Sequence, residues 1–249
     1  MVKIIYEDAD ILVAEKPAGI ESQSSRRFEP DMVSEIKNYL RLSTKLSTKP
    51  STGPGEPYVG VIHRLDKPVS GVMVYAKNQK AAASLSRQVQ DGRMKKTYLA
   101  VVCGKPVDIV GNYVDYLLKD GKNNYSRVVD KSVKDSRRAE LSYRVLGELL
   151  EGDESILSLV EIDLKTGRHH QIRVQFAAHG TPLWGDGKYN PLWGENARPA
   201  HTSRVCPALS AVRLSLVHPS TGKTMEFSMK PSGEIFRRFE QIQIDREGL

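Results

Sequence analysis

Cysteine is scarce: the 249 residues hold only Cys103 and Cys206, too few for a disulfide framework, so a reducing, cytoplasmic setting is expected. No apolar run approaches the roughly 18 residues of a membrane-spanning helix, which excludes a helical membrane protein. The opening Met1-Val2-Lys3-Ile4-Ile5-Tyr6-Glu7-Asp8 lacks the basic, apolar and small-residue regions of a signal peptide. The chain is therefore expected to stay where it is made. Missing too are a Walker A loop, a Gly-x-Gly-x-x-Gly loop and any Asp-Phe-Gly. Those absences remove P-loop nucleotide binding and protein-kinase chemistry.

What is present is ordinary for a globular chain, 39% hydrophobic and 27% charged, with one bias: a net charge of +7. A basic surface concentrates polyanions around it, and nucleic acid is the commonest of these, although many soluble proteins carry such charge without that partner.

The residue pattern predicts an α+β domain on a largely antiparallel sheet. Residues 2–6 and 11–14 read as strands around an acidic turn, and Lys16-Pro17-Ala18-Gly19 breaks the chain. A helix is expected from Pro30-Asp31, with Met32, Val33, Ile36, Tyr39 and Leu40 at helical spacing. Residues 42–57, rich in Ser, Thr, Lys, Pro and Gly, read as a mobile loop. Strands are expected at 59–62, 72–76, 97–102, 141–146 and 156–164. Asn78 should cap a helix reaching Gln88, with Ala83, Leu85 and Val89 among its apolar positions. A helix over 168–179 should close at Gly180, followed by a hairpin of 212–217 with 225–229 and a terminal helix over 235–244.

Four strings can carry chemistry. In His63-Arg64-Leu65-Asp66-Lys67-Pro68-Val69-Ser70-Gly71, a carboxylate sits in a turn between two apolar strands, where a rigid support can present it to a cleft. Taken alone, Asp66 reads rather as a turn former with charged neighbours. Tyr98, in Lys95-Lys96-Thr97-Tyr98, either packs or offers its ring to a base. Arg168, His169, His170 and Arg173 crowd into six residues, as an anion site or a solvated basic helix face. Adjacent histidines diverge by about 100° on a helix, so no metal site is expected from His169, His170, His179 and Cys206. Gly180, Gly185 and Gly187 specify a tightly turned loop around Asp186, whose purpose the residue chemistry leaves open.

Together these strings resemble the RluA-type family of RNA pseudouridine synthases. They stand in the family's order, from the Tyr-Glu-Asp-x-Asp pattern at Tyr6, through His-Arg-Leu-Asp with Ser-Gly, to His-Gln-Ile-Arg and Gly-Asp-x-x-Tyr. The resemblance implies a single catalytic domain over 1–249 with a long mixed sheet and an active-site cleft across its middle; many relatives carry a small RNA-binding module before it, and because the pattern starts at residue 2 here, no separate one is expected. It implies isomerisation of uridines in ribosomal or transfer RNA, without metal, nucleotide or other cofactor, by a protein taken as a monomer. Asp66 matches the catalytic aspartate, Tyr98 the tyrosine that packs against the flipped base, and Arg173 the arginine that pairs with the catalytic carboxylate. Arg64 matches an arginine that fills the space the base leaves; His63, Lys67, Lys96, Arg168 and His170 are further expected RNA contacts. Val69 and Gln175 depart from the usual threonine and histidine.

Overall fold

The computed structural model describes residues 2–24, 29–46, 56–151, 155–193 and 206–247. Two units make up the chain, Met1–Lys95 with Val212–Lys230, and Lys96–Ala211 with Pro231–Leu249.

In the first unit, strands β1 (Lys3–Glu7) and β2 (Ile11–Lys16) form an antiparallel hairpin. Asp8 tightens its turn by accepting the N–H groups of Asp10 and Ile11 at 2.8 and 2.9 Å. Gly19, at φ 91°, supplies the left-handed backbone that breaks the chain after Pro17. Helix α1 (Met32–Leu46) starts where Asp31 accepts the Ser34 N–H at 2.7 Å, and it buries Met32, Ile36 and Leu40, four residues apart. The helix runs through 42–46, which composition had assigned to a loop: no proline or glycine stops it before Pro50. Residues 47–55 of that expected loop lie outside the described residues.

Strands β3 (Gly60–Val61) and β4 (Ser70–Ala76) bracket the Asp66 motif, and β4, buried at every position, pairs antiparallel with β2 and β3. Asn78 caps α2 (Gln79–Gln90) by accepting the Ala81 N–H at 2.8 Å. Ala81 and Leu85 turn inward against Ile11, Val13, Val72 and Val74. Ala83, expected inside, is exposed because the buried stripe follows 81, 85 and 88.

The second unit holds β5 (Lys95–Cys103), β6 (Val110–Asp120), β7 (Tyr125–Val129), β8 (Arg137–Glu151) and β9 (Ser155–Leu164). They pair antiparallel in the order β5-β9-β8-β6-β7, so β7 is the outer strand. Helix α3 (Gln171–Ala178) packs Phe176 against the rings of Tyr113 and Tyr143, with centroids 5.2 and 5.6 Å apart. It begins three residues later than expected because His170 is left-handed at φ 55°, and it ends before Gly180 at φ 81°. Strand β10 (Leu209–Val217) returns to the first unit, giving the order β1-β2-β4-β10 with β11 (Thr224–Ser228) antiparallel to β10. Helix α4 (Glu234–Glu247) buries Ile235, Phe236 and Phe239 against Val101, Leu157 and Leu159 in the second unit. Four α-helices and a largely antiparallel set of strands among the described residues make this the α+β class the sequence predicts.

Candidate active site

The Asp66 turn is locked by buried groups far away in sequence. Lys16, at the end of β2, is 0% exposed, and its ammonium donates to the carbonyls of Pro17, Lys67 and Val69 at 3.0, 3.1 and 2.7 Å. A buried ammonium is tolerated where all three donors are satisfied. Here two of them grip the turn just after Asp66. On its other side, Ser22 donates to the Leu65 carbonyl at 2.9 Å and accepts the Leu65 N–H at 3.0 Å. The Val69 N–H closes the turn onto the Asp66 carbonyl at 2.9 Å. Asp66 itself is half-buried between these fixed points. The result is a carboxylate whose backbone has little freedom, which is what a positioned reacting group needs.

The flanking residues of this motif divide. Arg64 is exposed and donates to Gln23 at 3.1 Å, while exposed Lys67 pairs with Glu29 at 3.2 Å and Glu21 at 3.7 Å. His63, expected to meet RNA, is an interior residue: its Nε2 accepts the Val74 N–H at 3.2 Å, so it anchors the turn to β4.

In the second unit, the basic cluster is not a solvated helix face, since Gln171 to Phe176 are all buried. Arg173 meets Asp186 in a two-pronged pair, Nε to Oδ2 at 2.8 Å and Nη2 to Oδ1 at 2.7 Å, with the two side chains 5% and 0% exposed. Asp186 Oδ1 also accepts the N–H groups of Lys188 and Tyr189 at 3.0 and 3.3 Å. This explains the glycine-flanked loop: Gly185, at φ 74°, lets the chain fold around the buried carboxylate. The Tyr189 ring lies 5.1 Å from the Arg173 guanidinium carbon, near enough for a cation–π contact.

His170 is likewise interior. Burial, assisted by the Arg173 charge, pulls its pKa down to about 2, so the ring is neutral and is not the cationic phosphate contact expected. The Tyr189 hydroxyl accepts the Ser126 N–H at 2.9 Å and is hydrogen-bonded to His170 Nδ1 at 2.7 Å. Because the turn precedes the helix, the adjacent rings of His169 and His170 stack 3.7 Å apart instead of diverging. No metal-ligating cluster occurs among the described residues.

Tyr98 pairs with Ile162, and Ile162 with Tyr143, whose ring contacts Phe176. Alternation therefore turns Tyr98, 5% exposed, to the face of the sheet that carries α3 and Arg173. The Lys96 ammonium lies against Gly167, and burial lowers its pKa. Arg168 is exposed and donates to the Arg138 carbonyl at 2.9 Å. Lys16 and Ser22, which hold the Asp66 turn, and Asp186 and Tyr189, which hold Arg173, are the supporting residues that the sequence motifs did not mark. A lysine before Pro17 and an aspartate between two glycines were their only signals.

A sequence profile of RNA pseudouridylate synthases matches residues 10–178. The ribosomal large subunit pseudouridine synthase D of Zymomonas mobilis is 30% identical over 98% of this chain and 73% of its own length. An RNA pseudouridine synthase of Chloroflexus aurantiacus is 36% identical over 76% of this chain, which spans 55% of that relative. The structure of human RNA pseudouridylate synthase domain containing 4 shares the fold, with a TM-score of 0.72 at 20% identity, covering 97% of this chain and 93% of that one. Motif order, fold and relatives agree: the chain belongs to the RluA-type family of RNA pseudouridine synthases, which are isomerases.

Proposed function

We propose that the protein converts uridine to pseudouridine in large-subunit ribosomal RNA, with Asp66 as the catalytic carboxylate. The observation that carries this reading is the Asp66 turn held by Lys16 and Ser22, because a mere surface turn has no need of a fully buried ammonium. The ribosomal target rests on relatives from Zymomonas mobilis and Nitrosomonas europaea, both named ribosomal large subunit pseudouridine synthase D.

A base inside folded RNA must leave its stack before it can react, at a cost of a few kcal/mol that new contacts offset. In this mechanism Arg64 fills the vacated space, Tyr98 packs on the extruded uracil and Arg173 pairs with Asp66. Exposed Lys67 and Arg168, with Lys96, hold phosphates. The N1–C1′ bond breaks with Asp66 taking part, the uracil turns, C5 bonds to C1′, and C5 loses its proton while N1 gains one. The sum is redox-neutral and calls on no metal or nucleotide. The working form is a cytoplasmic monomer.

The test is a substrate panel: unmodified transcripts of large-subunit ribosomal RNA, small-subunit ribosomal RNA and transfer RNA, each incubated with the protein and mapped for pseudouridine by carbodiimide-dependent primer extension. Stops confined to large-subunit RNA are expected. Stops only in transfer RNA would overturn the ribosomal assignment.

A further inference from the structure

Residues 119–138 carry Lys119, Lys122, Arg127, Lys131, Lys134, Arg137 and Arg138 against Asp120, Asp130 and Asp135, seven cations to three carboxylates in twenty residues. Two of those carboxylates turn to the backbone. Asp120 accepts the N–H groups of Lys122 and Asn123 at 2.9 and 3.2 Å, and Asp130 accepts that of Ser132 at 2.9 Å. Among the described residues, Arg138 alone of the seven has an ion-pair partner, Glu140. Two more cations join the segment through carbonyls, which leave their charge uncompensated: Arg168 Nε binds the Arg138 carbonyl at 2.9 Å, and Lys188 Nζ binds the Asn124 carbonyl at 2.8 Å.

The segment is also built to hold a shape. Asn124 and Asp135 adopt left-handed backbone at φ 49° and 64°, and the turn after β7 is closed by Val133 N–H to Asp130 O and Ser136 N–H to Val133 O at 3.0 and 3.1 Å. His169 clamps it to the start of α3, with Nδ1 2.8 Å from Ser126 Oγ and Nε2 2.9 Å from Asn124 Oδ1. A charged edge strand also deters strand-to-strand aggregation. That role alone does not account for cations gathered from α3's approach and the Asp186 loop, away from the edge itself.

We propose that the β6–β7 hairpin, with the turn leading into β8, is a preformed arm that grips the sugar-phosphate backbone of the RNA beyond the reacting uridine. This rests on the reading that RNA is the substrate and adds where its flanking backbone is held. Phosphate contacts by exposed cations supply affinity and register without reading sequence. The arm therefore acts on binding and leaves the chemical step alone.

The experiment compares the full chain with a variant carrying Arg127→Gln, Lys131→Gln, Lys134→Gln and Arg137→Gln, all exposed positions whose loss leaves the core intact. Binding to a long structured fragment of large-subunit ribosomal RNA is measured across a range of KCl concentrations. Each lost phosphate contact removes about 0.9 from the slope of log K against log salt for duplex RNA treated like duplex DNA, so four contacts remove about 3 to 4. At saturating RNA, turnover should stay within about twofold of the native rate, and the pair Arg127→Lys with Arg137→Lys should keep the native slope. An unchanged slope in the four-site variant overturns the arm and leaves only edge protection. Since the slope is read on binding, a native protein that binds RNA without forming pseudouridine would sink the functional reading while still measuring the arm. A native protein that binds no RNA would overturn both.

Discussion

Replacing Lys16 by Met tests whether a buried cation holds the candidate catalytic turn. Methionine matches the lysine stem in length and apolar character, so packing is largely kept and the ammonium alone is lost. Three carbonyls then lose a donor: Pro17, Lys67 and Val69. The Lys67 carbonyl still accepts the Gly19 N–H at 2.8 Å and exposed Pro17 can turn to water, so the penalty falls mainly on the buried Val69 carbonyl. An unsatisfied buried acceptor costs about 1–3 kcal/mol. Relief from burying an ammonium offsets part of this, leaving about 1–2 kcal/mol. For a chain of this size each kcal/mol moves the midpoint by about 2–4 °C, so a fall of about 2–8 °C in melting temperature is expected by circular dichroism. Turnover, measured well below that midpoint, should drop at least about tenfold, because the Asp66 turn relaxes and a 1 Å misplacement can cost about 100-fold. A melting point within 1 °C of native and a rate within twofold would refute the clamp.

Three other perturbations read the second unit. Asp186→Ala breaks the buried two-pronged pair with Arg173, and urea unfolding should show a loss of about 3–5 kcal/mol; a loss under 1 kcal/mol would mean the pair contributes little. His170 is neutral in the fold with its pKa at about 2, whereas the unfolded chain's histidine takes a proton below about 6.5. The unfolded state thus binds the extra proton, and stability falls as pH drops below about 6.5, by at most about 1.4 kcal/mol per unit. His170→Asn, which tolerates the left-handed backbone, should flatten that decline between about pH 6 and 4; parallel curves for the two proteins would count against it. At Gly111, an added Cβ would come within 2.6 Å of the Tyr143 ring, which Tyr113 and Phe176 hold at 4.8 and 5.6 Å. Gly111→Ala should therefore cost about 1–3 kcal/mol in the same unfolding assay, and a neutral result would show that Tyr143 is free to shift.

The elements legible from sequence were those whose local signal matched their final environment. β2 and β4 are apolar runs that end up buried, Asn78 caps α2, and Gly180 and Gly222 take the left-handed turns. β6 and β7 escaped notice because one face of β6 alternates Tyr113, Asp115, Leu117 and Lys119, so polar groups interrupt its apolar pattern. Asp115 belongs there only because Gln175 and His179, sixty residues away and more, bond to it. The start of α3 was misread for a similar reason: Gln171 reaches back to the Arg168 N–H at 3.0 Å, which favours a turn over another helical turn. The motifs marked Asp66 and Arg173, but the supports of each arise from contacts that no local pattern carries. Lys16 meets carbonyls more than fifty residues distant, and Asp186 meets an arginine thirteen residues back.

The central claim is that Asp66 performs chemistry on uridine in RNA. Its most direct test is tritium release from unmodified large-subunit ribosomal RNA labelled at uracil C5, comparing the native protein with Asp66→Asn. Release by the native protein only, with RNA binding retained in the variant, is the predicted result. Equal release from both proteins would contradict the role of Asp66, and release from neither would leave a protein that binds RNA without isomerising it.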